Sequence, residues 1–174
     1  LGAVTLLYKN VDGNFVDQNE NFAKLYGGDI TWVDLNKDGW IDLVVSGFDG
    51  TAPQTKVYMN NVGTYFEPTN GYGLPKLFST KMAWGDLDND GDIDLAIAGQ
   101  DAGNNYVFNV YYKDDTTNNF VKEPLFNREG FINGDLKIVD IDLDGDNDII
   151  YNGENSSGNS VSGYILNSYI SGLQ

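Results

Sequence analysis

Residues 140–148 read Asp-Ile-Asp-Leu-Asp-Gly-Asp-Asn-Asp, and the organisation of the whole chain can be worked out from this acidic stretch. Oxygen-bearing side chains occupy its positions 1, 3, 5 and 9, and a glycine occupies position 6. Residues 34–42 (Asp-Leu-Asn-Lys-Asp-Gly-Trp-Ile-Asp) and residues 86–94 (Asp-Leu-Asp-Asn-Asp-Gly-Asp-Ile-Asp) have the same arrangement. One such stretch could be an ordinary acidic turn, because Asp, Asn and Gly are common turn residues. Three copies in matched surroundings favour a shared chemical role.

The pattern suits a hard cation such as Ca²⁺, which takes about 6–8 oxygen ligands at roughly 2.3–2.6 Å. A chain that curls round an ion offers every second side chain to it, and glycine tolerates the positive φ of a sharp turn. The residue at position 7 is expected to contribute its backbone carbonyl. The sequence therefore predicts three calcium sites. Their predicted ligands are Asp34, Asn36, Asp38, Trp40 and Asp42; Asp86, Asp88, Asp90, Asp92 and Asp94; and Asp140, Asp142, Asp144, Asp146 and Asp148.

The first six positions match the loop of an EF-hand, but the remainder does not. An EF-hand requires a bidentate Glu at position 12 and a helix on each side. Position 12 is Val45, Ile97 or Tyr151 in the three copies. The flanking residues, such as 31–33 and 43–45, have the β-branched and aromatic character of strands. Each predicted ion therefore lies in a turn between two strands.

The acidic stretches recur at a nearly fixed period: Asp34 and Asp86 are 52 residues apart (86 − 34), and Asp86 and Asp140 are 54 apart (140 − 86). Each copy continues with an apolar strand that ends in glycine and then a third strand. Four short strands in a repeat of about 40–50 residues are typical of β-propeller blades. The sequence predicts an all-β chain of antiparallel four-stranded blades, with the calcium loop between the first and second strand. The second strand is apolar at nearly every position, as expected of a strand covered on both faces.

The predicted units divide the chain, which is a single repeat region, into about three and a half blades. The divisions are a partial blade over residues 1–17, blades over 18–69 and 70–123, and a last blade over 124–174 whose fourth strand has no clear pattern. This number does not close a ring of the usual 4–8 blades. Further blades in the same chain, association with other copies and an open stack all remain possible from the sequence.

Residues 84–95 (Trp-Gly-Asp-Leu-Asp-Asn-Asp-Gly-Asp-Ile-Asp-Leu), with Tyr-Met-Asn at 58–60 and the turn and Phe that follow, resemble the FG-GAP/VCBS repeat. Integrin α-subunit β-propellers and many secreted bacterial proteins carry this repeat. The resemblance implies that the loop between the first two strands of each blade binds calcium. Two departures matter: Asn36 and Lys37 make the first loop the least anionic, so it is expected to bind most weakly. Asn147 replaces an isoleucine and is expected to loosen the third loop.

The net charge of −16 is concentrated in the predicted loops, which hold 13 (3 + 5 + 5) of the 26 acidic residues. Nucleic-acid binding is disfavoured, because no cluster of Lys or Arg is present to neutralise phosphates. No apolar run approaches the roughly 20 residues of a membrane span, so no insertion is expected. Calcium loops of moderate affinity fill at extracellular calcium levels, and an extracellular or cell-surface location is therefore expected.

The favoured function is a calcium-stabilised module for adhesion or protein interaction. The alternatives are a glycan-binding, lectin-like propeller or a non-catalytic part of a polysaccharide-degrading enzyme. Candidate sugar contacts are Tyr72, Phe48 and Tyr106, although sheet packing or an ordinary turn position is the favoured interpretation of each. Trp32 and Trp84 are expected in the core instead. An enzyme is disfavoured, because the chain has no His and no Cys. Four acids outside the loops lack a distinctive spacing and are interpreted as solvated loop acids: Asp29, Asp101, Asp135 and Glu154.

Overall fold

The computed structural model describes residues 2–69 and 72–167. Within these residues the chain forms thirteen β-strands in four separate antiparallel sheets. Every sheet is a meander, in which each strand pairs with the next strand along the chain. The all-β, antiparallel prediction is confirmed. The predicted unit boundaries and the number of blades stay predictions, and the end of the last unit, residues 168–174, lies outside the described residues.

The strands fall into four groups along the chain. The first sheet is the hairpin of β1 (Tyr8–Val11) and β2 (Asn14–Asp17). The second sheet contains β3 (Ile30–Val33), β4 (Asp42–Phe48), β5 (Pro53–Asn61) and β6 (Tyr65–Thr69). The third contains β7 (Phe78–Gly85), β8 (Asp94–Gln100), β9 (Tyr106–Asp114) and β10 (Asn119–Lys122). The fourth contains β11 (Ile132–Val139), β12 (Asp148–Glu154) and β13 (Ser160–Ile165).

The second strands of the second and third sheets, β4 and β8, are covered on both faces, and every residue but the last is buried in each. β12 of the fourth sheet is only partly covered, since its Ile150 is 46% exposed. On β8, Leu95 and Ile97 belong to a core cluster shared with the second sheet. The alternate residues Ala96 and Ala98 belong to another cluster, shared with the fourth sheet. Successive side chains of a strand point to opposite faces, so one strand contributes to two cores. The third sheet is thus packed between the second and fourth sheets rather than around a single central core.

The tryptophans that precede the first two acidic loops have different environments. Trp84 packs against the core between the second and third sheets, and its indole Nε1–H donates to Thr31 Oγ1 at 2.8 Å. Trp32 occupies the equivalent position on β3, but its side chain is 49% exposed. The expectation that Trp32 lies in the core was wrong. The sheet before β3 is only the β1–β2 hairpin, which leaves half of the indole ring uncovered.

No helix of the described residues is long and apolar enough to cross a membrane.

Ile97 is completely buried (0% exposed). The substitution Ile97→Ala should lower the free energy of unfolding by about 2–5 kcal/mol. Ile97 lies on a central strand, so solvent cannot fill the cavity that the substitution leaves. Ile150 on β12 is 46% exposed, and the matched variant Ile150→Ala should change stability by less than about 1 kcal/mol. Urea denaturation monitored by fluorescence measures both values. Equal losses in the two variants would contradict the two-faced packing of β8.

Candidate metal centre

The three acidic loops join β3 to β4, β7 to β8 and β11 to β12, as the sequence predicts. They follow the same backbone path. Position 4 has a positive φ in each loop, with values of 58°, 58° and 64° for Lys37, Asn89 and Leu143. A bulky residue such as leucine disfavours this conformation by about 1–2 kcal/mol. The third loop adopts it nevertheless, which indicates that the contacts of the neighbouring carboxylates fix the turn.

The position 9 carboxylate begins the second strand and is completely or almost completely buried in each loop. Its Oδ2 accepts the backbone N–H of position 2: Leu35 to Asp42 at 3.0 Å, Leu87 to Asp94 at 2.8 Å, and Ile141 to Asp148 at 2.8 Å. Its Oδ1 accepts a backbone N–H at or just after the end of the third strand: Asn60 to Asp42 at 2.8 Å, Lys113 to Asp94 at 2.9 Å, and Asn167 to Asp148 at 2.8 Å. One carboxylate therefore fastens the loop to the adjacent strand.

The carboxylates at positions 1 and 5 are oriented by N–H groups of their own loop. The position 6 glycine donates to the position 1 carboxylate, from Gly39 to Asp34 at 2.9 Å, Gly91 to Asp86 at 3.0 Å and Gly145 to Asp140 at 3.2 Å. The N–H of position 7 donates to the position 5 carboxylate, from Trp40 to Asp38 at 2.8 Å, Asp92 to Asp90 at 2.7 Å and Asp146 to Asp144 at 3.2 Å. The acidic side chains are thereby held within the turn instead of extending into solvent.

Two clusters of three carboxylates result. Asp86, Asp88 and Asp94 each place an oxygen so that the three atoms lie within 4.8 Å of one another. Asp140, Asp142 and Asp148 do the same in the third loop. Two ligands on opposite sides of a Ca²⁺ ion are about 4.6–5.2 Å apart, twice its usual bond length, so the spacing fits. In the first loop the amide of Asn36 stands where the other loops have a third carboxylate.

Four buried carboxylate oxygens of the second and third loops have no hydrogen-bond partner in the described residues: Asp86 Oδ1, both oxygens of Asp92, and Asp146 Oδ1. Asp86 Oδ1 is buried and makes no hydrogen bond to residues 2–69 or 72–167. A buried carboxylate oxygen without a donor is unfavourable by about 1–3 kcal/mol or more. A cation bound among Asp86, Asp88 and Asp94 would satisfy it. The position 5 residues Asp90 and Asp144 lie in the same loops but outside the three-carboxylate clusters.

The electrostatics of the second loop favour cation binding. The pKa of Asp94 is raised to about 7, chiefly by burial and additionally by the nearby Asp88 and Asp90 carboxylates, against the opposing hydrogen bonds from Leu87 and Lys113. Desolvation and the Asp90 charge also raise the pKa of Asp88. In the third loop, desolvation and the Asp144 charge raise the pKa of Asp142. The crowded carboxylates therefore resist ionisation unless positive charge is supplied.

The side chain of Asp92, at position 7, is not free for an ion. It forms ion pairs with Lys37 of the first loop and with Lys113, whose Nζ lies 3.7 Å from Asp92 Oδ1. Lys113 Nζ also donates to the carbonyl of Leu35 at 2.9 Å. Only the carbonyl of Asp92 remains for the role predicted from the sequence. Sequence reasoning treated Lys37 as a weakness of its own loop and missed that it neutralises an acid of the next loop.

The second and third loops are joined by amides. Asn147 Nδ2 donates to the carbonyl of Asp86 at 2.9 Å. Asn167 Nδ2 donates to the carbonyls of Leu87 and Asn147 at 2.6 and 3.1 Å. The expectation that Asn147 loosens the third loop is therefore wrong, because its amide replaces apolar anchoring with a hydrogen bond to the preceding loop. Lys113 and Asn167 both lie 19 residues after the position 9 aspartate, a spacing that could have revealed their shared role.

The other residues singled out from the sequence have mostly structural environments. Tyr72 is 6% exposed and belongs to the core between the second and third sheets, which agrees with the packing interpretation and excludes Tyr72 as an exposed sugar contact. Asp29 Oδ2 accepts the N–H of Met82 at 2.9 Å and so links β3 to β7. Asp135 accepts hydrogen bonds from Leu136 and Lys137. Phe48 and Tyr106 are half-buried.

Comparison with known proteins identifies the repeat. Residues 34–97 match the sequence model of the FG-GAP-like repeat, which confirms the resemblance over the first two acidic loops. No curated protein sequence gives a significant match. Among solved structures, the chain is similar to a fucose lectin from Kordia zhangzhouensis in complex with methyl-fucoside. The TM-score is 0.51 at 13% identity, covering 80% of this chain and 93% of the lectin chain, and the likeness establishes a β-propeller-like fold.

Removal of the position 9 carboxylate should destabilise the protein even without metal. In Asp148→Ala the N–H groups of Ile141 and Asn167 lose their acceptor, and each such bond to a charged group contributes about 1.5–3 kcal/mol. We expect a loss of roughly 3 kcal/mol or more in the free energy of unfolding, measured by urea denaturation in chelator. The control Asp144→Ala removes an exposed acceptor of one N–H and should have a clearly smaller effect. A reversed order would contradict the fastening role of Asp148.

The metal-free protein should be more stable at pH 5 than at pH 7.5. The pKa of Asp94 is about 7 in the folded chain against an ordinary 3.8, so the folded state binds more protons between these values. Stability then falls as pH rises through this window. The hydroxyl of Thr51 is the chief cause that lowers the pKa of Asp49 to about 2. Asp49 therefore affects the pH dependence of stability only below about pH 4. Thermal melts in chelator at both pH values should show the difference, and Asp94→Asn should reduce it. An unchanged difference in the variant would rule out Asp94 as its source.

Proposed function

We propose that this chain, of which residues 34–97 match the FG-GAP-like repeat, is a non-catalytic binding module whose hairpins are fastened by calcium. The observation that carries the proposal is the second loop. Three carboxylates converge there within 4.8 Å, and a buried oxygen of Asp86 has no hydrogen-bond partner in the described residues. The first and third loops share its backbone path. We therefore assign one Ca²⁺ to each loop, held by the oxygens predicted from the sequence.

The chain's own residues define what the metal would stabilise. Ca²⁺ supplies the positive charge that lets crowded carboxylates stay ionised. Asp42, Asp94 and Asp148 connect each loop to the third strand through backbone N–H groups. Ordering a loop therefore also orders two neighbouring strands. Extracellular calcium levels suit sites of moderate affinity, and this supports an extracellular or cell-surface location.

Partner recognition is assigned to the opposite ends of the strands. The turns at 49–52, 101–105 and 155–159 follow β4, β8 and β12, so they lie at the far end from the acidic loops. Each begins with a side chain that accepts an N–H two residues later: Thr51 to Asp49 at 2.7 Å, Gly103 to Asp101 at 2.8 Å and Ser157 to Asn155 at 3.1 Å. Such ordered turns lose little entropy on binding. They suit adhesion or protein interaction.

Glycan binding is the second candidate function. The similar fold of the Kordia zhangzhouensis fucose lectin gives it general support. A cleft lined by Tyr26, Phe48 and Phe78 gives it specific support from this chain. Phe48 was one of the sugar contacts considered from the sequence, whereas Tyr106 does not line this cleft. Both candidates share a calcium-stabilised scaffold and differ only in the partner.

A chelator should lower the melting temperature by more than about 10 °C. Each site filled at a hundredfold excess over its Kd contributes about 2.7 kcal/mol, and 1 kcal/mol corresponds to roughly 2–4 °C for a chain of this size. Differential scanning calorimetry with millimolar CaCl₂ and with EDTA measures the shift. Asp88→Asn should reduce the response to calcium, whereas Asp49→Asn, outside the loops, should retain it. Identical melts in calcium and EDTA would refute calcium as a structural ligand.

A further inference from the structure

We infer that the cleft between the second and third sheets binds one neutral monosaccharide unit of a glycan. This cleft, which we call the aromatic cleft, has a volume of about 370 Å³. The residues that line it include Tyr26, Phe48, Phe78, Asp101 and Asn104. This volume lies in the usual range of roughly 300–1,000 Å³ for ligand sites. The inference rests on the proposed function as a binding module and specifies its ligand class and contact residues.

Three aromatic rings form a continuous wall across the two sheets. The Phe48 ring lies between Tyr26 and Phe78, with centroid distances of 5.8 and 5.4 Å and interplanar angles of 65° and 62°. Tyr26 is 56% exposed, so the wall is accessible from solvent. The negative face of an aromatic ring attracts the weakly positive C–H groups of a sugar ring. The wall therefore fits a ligand with one apolar face.

The fold does not require an aromatic residue at position 48. Phe48 is the last residue of β4, and the corresponding last residues of β8 and β12 are Gln100 and Glu154. The pairing confirms the correspondence, since Tyr26 opposes Phe48 as Phe78 opposes Gln100. The same position accepts an amide or a carboxylate in the neighbouring sheets. An aromatic residue at the cleft is thus explained better by a ligand than by the architecture.

The turn that follows β8 contributes polar groups to the cleft. Asp101 Oδ1 accepts the N–H groups of Gly103 and Asn105 at 2.8 and 2.9 Å, and Oδ2 accepts Asn105 Nδ2 at 3.0 Å. The Asn105 side chain and these N–H groups hold the pKa of Asp101 below its ordinary value. Asp101 Oδ1 also accepts Asn105 Nδ2 at 3.2 Å, so this oxygen is fully used. Each carboxylate oxygen has about two acceptor positions, and Oδ2 accepts only one hydrogen bond, so Oδ2 retains one position for a ligand hydroxyl.

Asn104 adds a donor and an acceptor to the same turn. Its backbone has a φ of 62°, and its side-chain amide has no hydrogen-bond partner among residues 2–69 and 72–167. Adjacent acceptor and donor groups match the adjacent hydroxyls of a sugar. No Lys or Arg is among the cleft-lining residues in the described part of the chain. With a net charge of −16 for the chain, this favours a neutral sugar over a uronic acid or a sulfated one.

Backbone contacts hold the two sides of the cleft together before any ligand arrives. Tyr26 and Phe48 exchange N–H···O bonds of 3.1 and 2.9 Å. Ser79, next to Phe78, donates its N–H to the carbonyl of Gly27, next to Tyr26. The aromatic wall is thereby preorganised, and little ordering of the backbone opposes binding.

The test uses the calcium-loaded chain and the methyl glycosides of fucose, galactose, mannose and glucose, with methyl glucuronide as the anionic comparison. Isothermal titration calorimetry gives affinities, and saturation-transfer NMR detects weak contacts. We expect at least one neutral glycoside to bind and the glucuronide to bind at least tenfold more weakly. Phe48→Gln, which introduces the residue found at position 100, should reduce affinity at least tenfold, and Asp101→Asn should do the same.

Glu154→Gln, at the corresponding position of the fourth sheet and outside the cleft-lining residues, is the matched control and should leave the affinity unchanged. The calcium-dependent melting temperature of every variant confirms that it is folded, and this measurement also tests the proposed function separately. Absence of binding by all four neutral glycosides to a protein that melts with the calcium shift would overturn the inference. Binding with unchanged affinity in Phe48→Gln, or an equal loss in Glu154→Gln, would also overturn it.

Discussion

A buried carboxylate that accepts two backbone N–H groups is the interaction on which the structure depends. Asp42, Asp94 and Asp148 each connect the start of an acidic loop to the strand two places along the sheet. Burial of a charge is unfavourable unless it is compensated, and the raised pKa of Asp94 shows that two N–H donors compensate it only in part. The remaining deficit is the physical basis of the cation site proposed for each loop.

The second feature is the way in which neighbouring loops share their charges. The carboxylate of Asp92 is neutralised by Lys37 and Lys113, which come from the first loop and from β9. Between the second and third loops the amides of Asn147 and Asn167 perform the linking role without charge. Loops rich in like charges would otherwise repel one another at the same edge of the stack. The links keep them adjacent while leaving the clustered carboxylates available.

The strands and the acidic loops could be predicted from the sequence because their signals are local. The spacing of Asp86, Asp88 and Asp94 specifies a turn, and the apolar run 95–98 specifies a strand with two covered faces. The environments of Trp32 and Asn147 could not be predicted in this way. Each depends on which residues of a neighbouring sheet oppose it, and those residues are distant in sequence, as Asp86 is from Asn147 by 61 positions. The aromatic cleft could not be predicted either, because Tyr26, Phe48 and Phe78 come together only when the second and third sheets pack against each other.

The alternating contribution of the central strands to two cores has an evolutionary consequence. Each interior sheet supplies one half of two interfaces and touches chiefly the sheets before and after it. In such a linear arrangement the total stability approximates a sum over repeats and their nearest-neighbour interfaces. Duplication of a whole sheet adds one complete interface and disturbs no other, whereas loss of part of a sheet damages two. Copy number can therefore change by whole units, and a binding cleft can diverge at one interface while the others retain their packing.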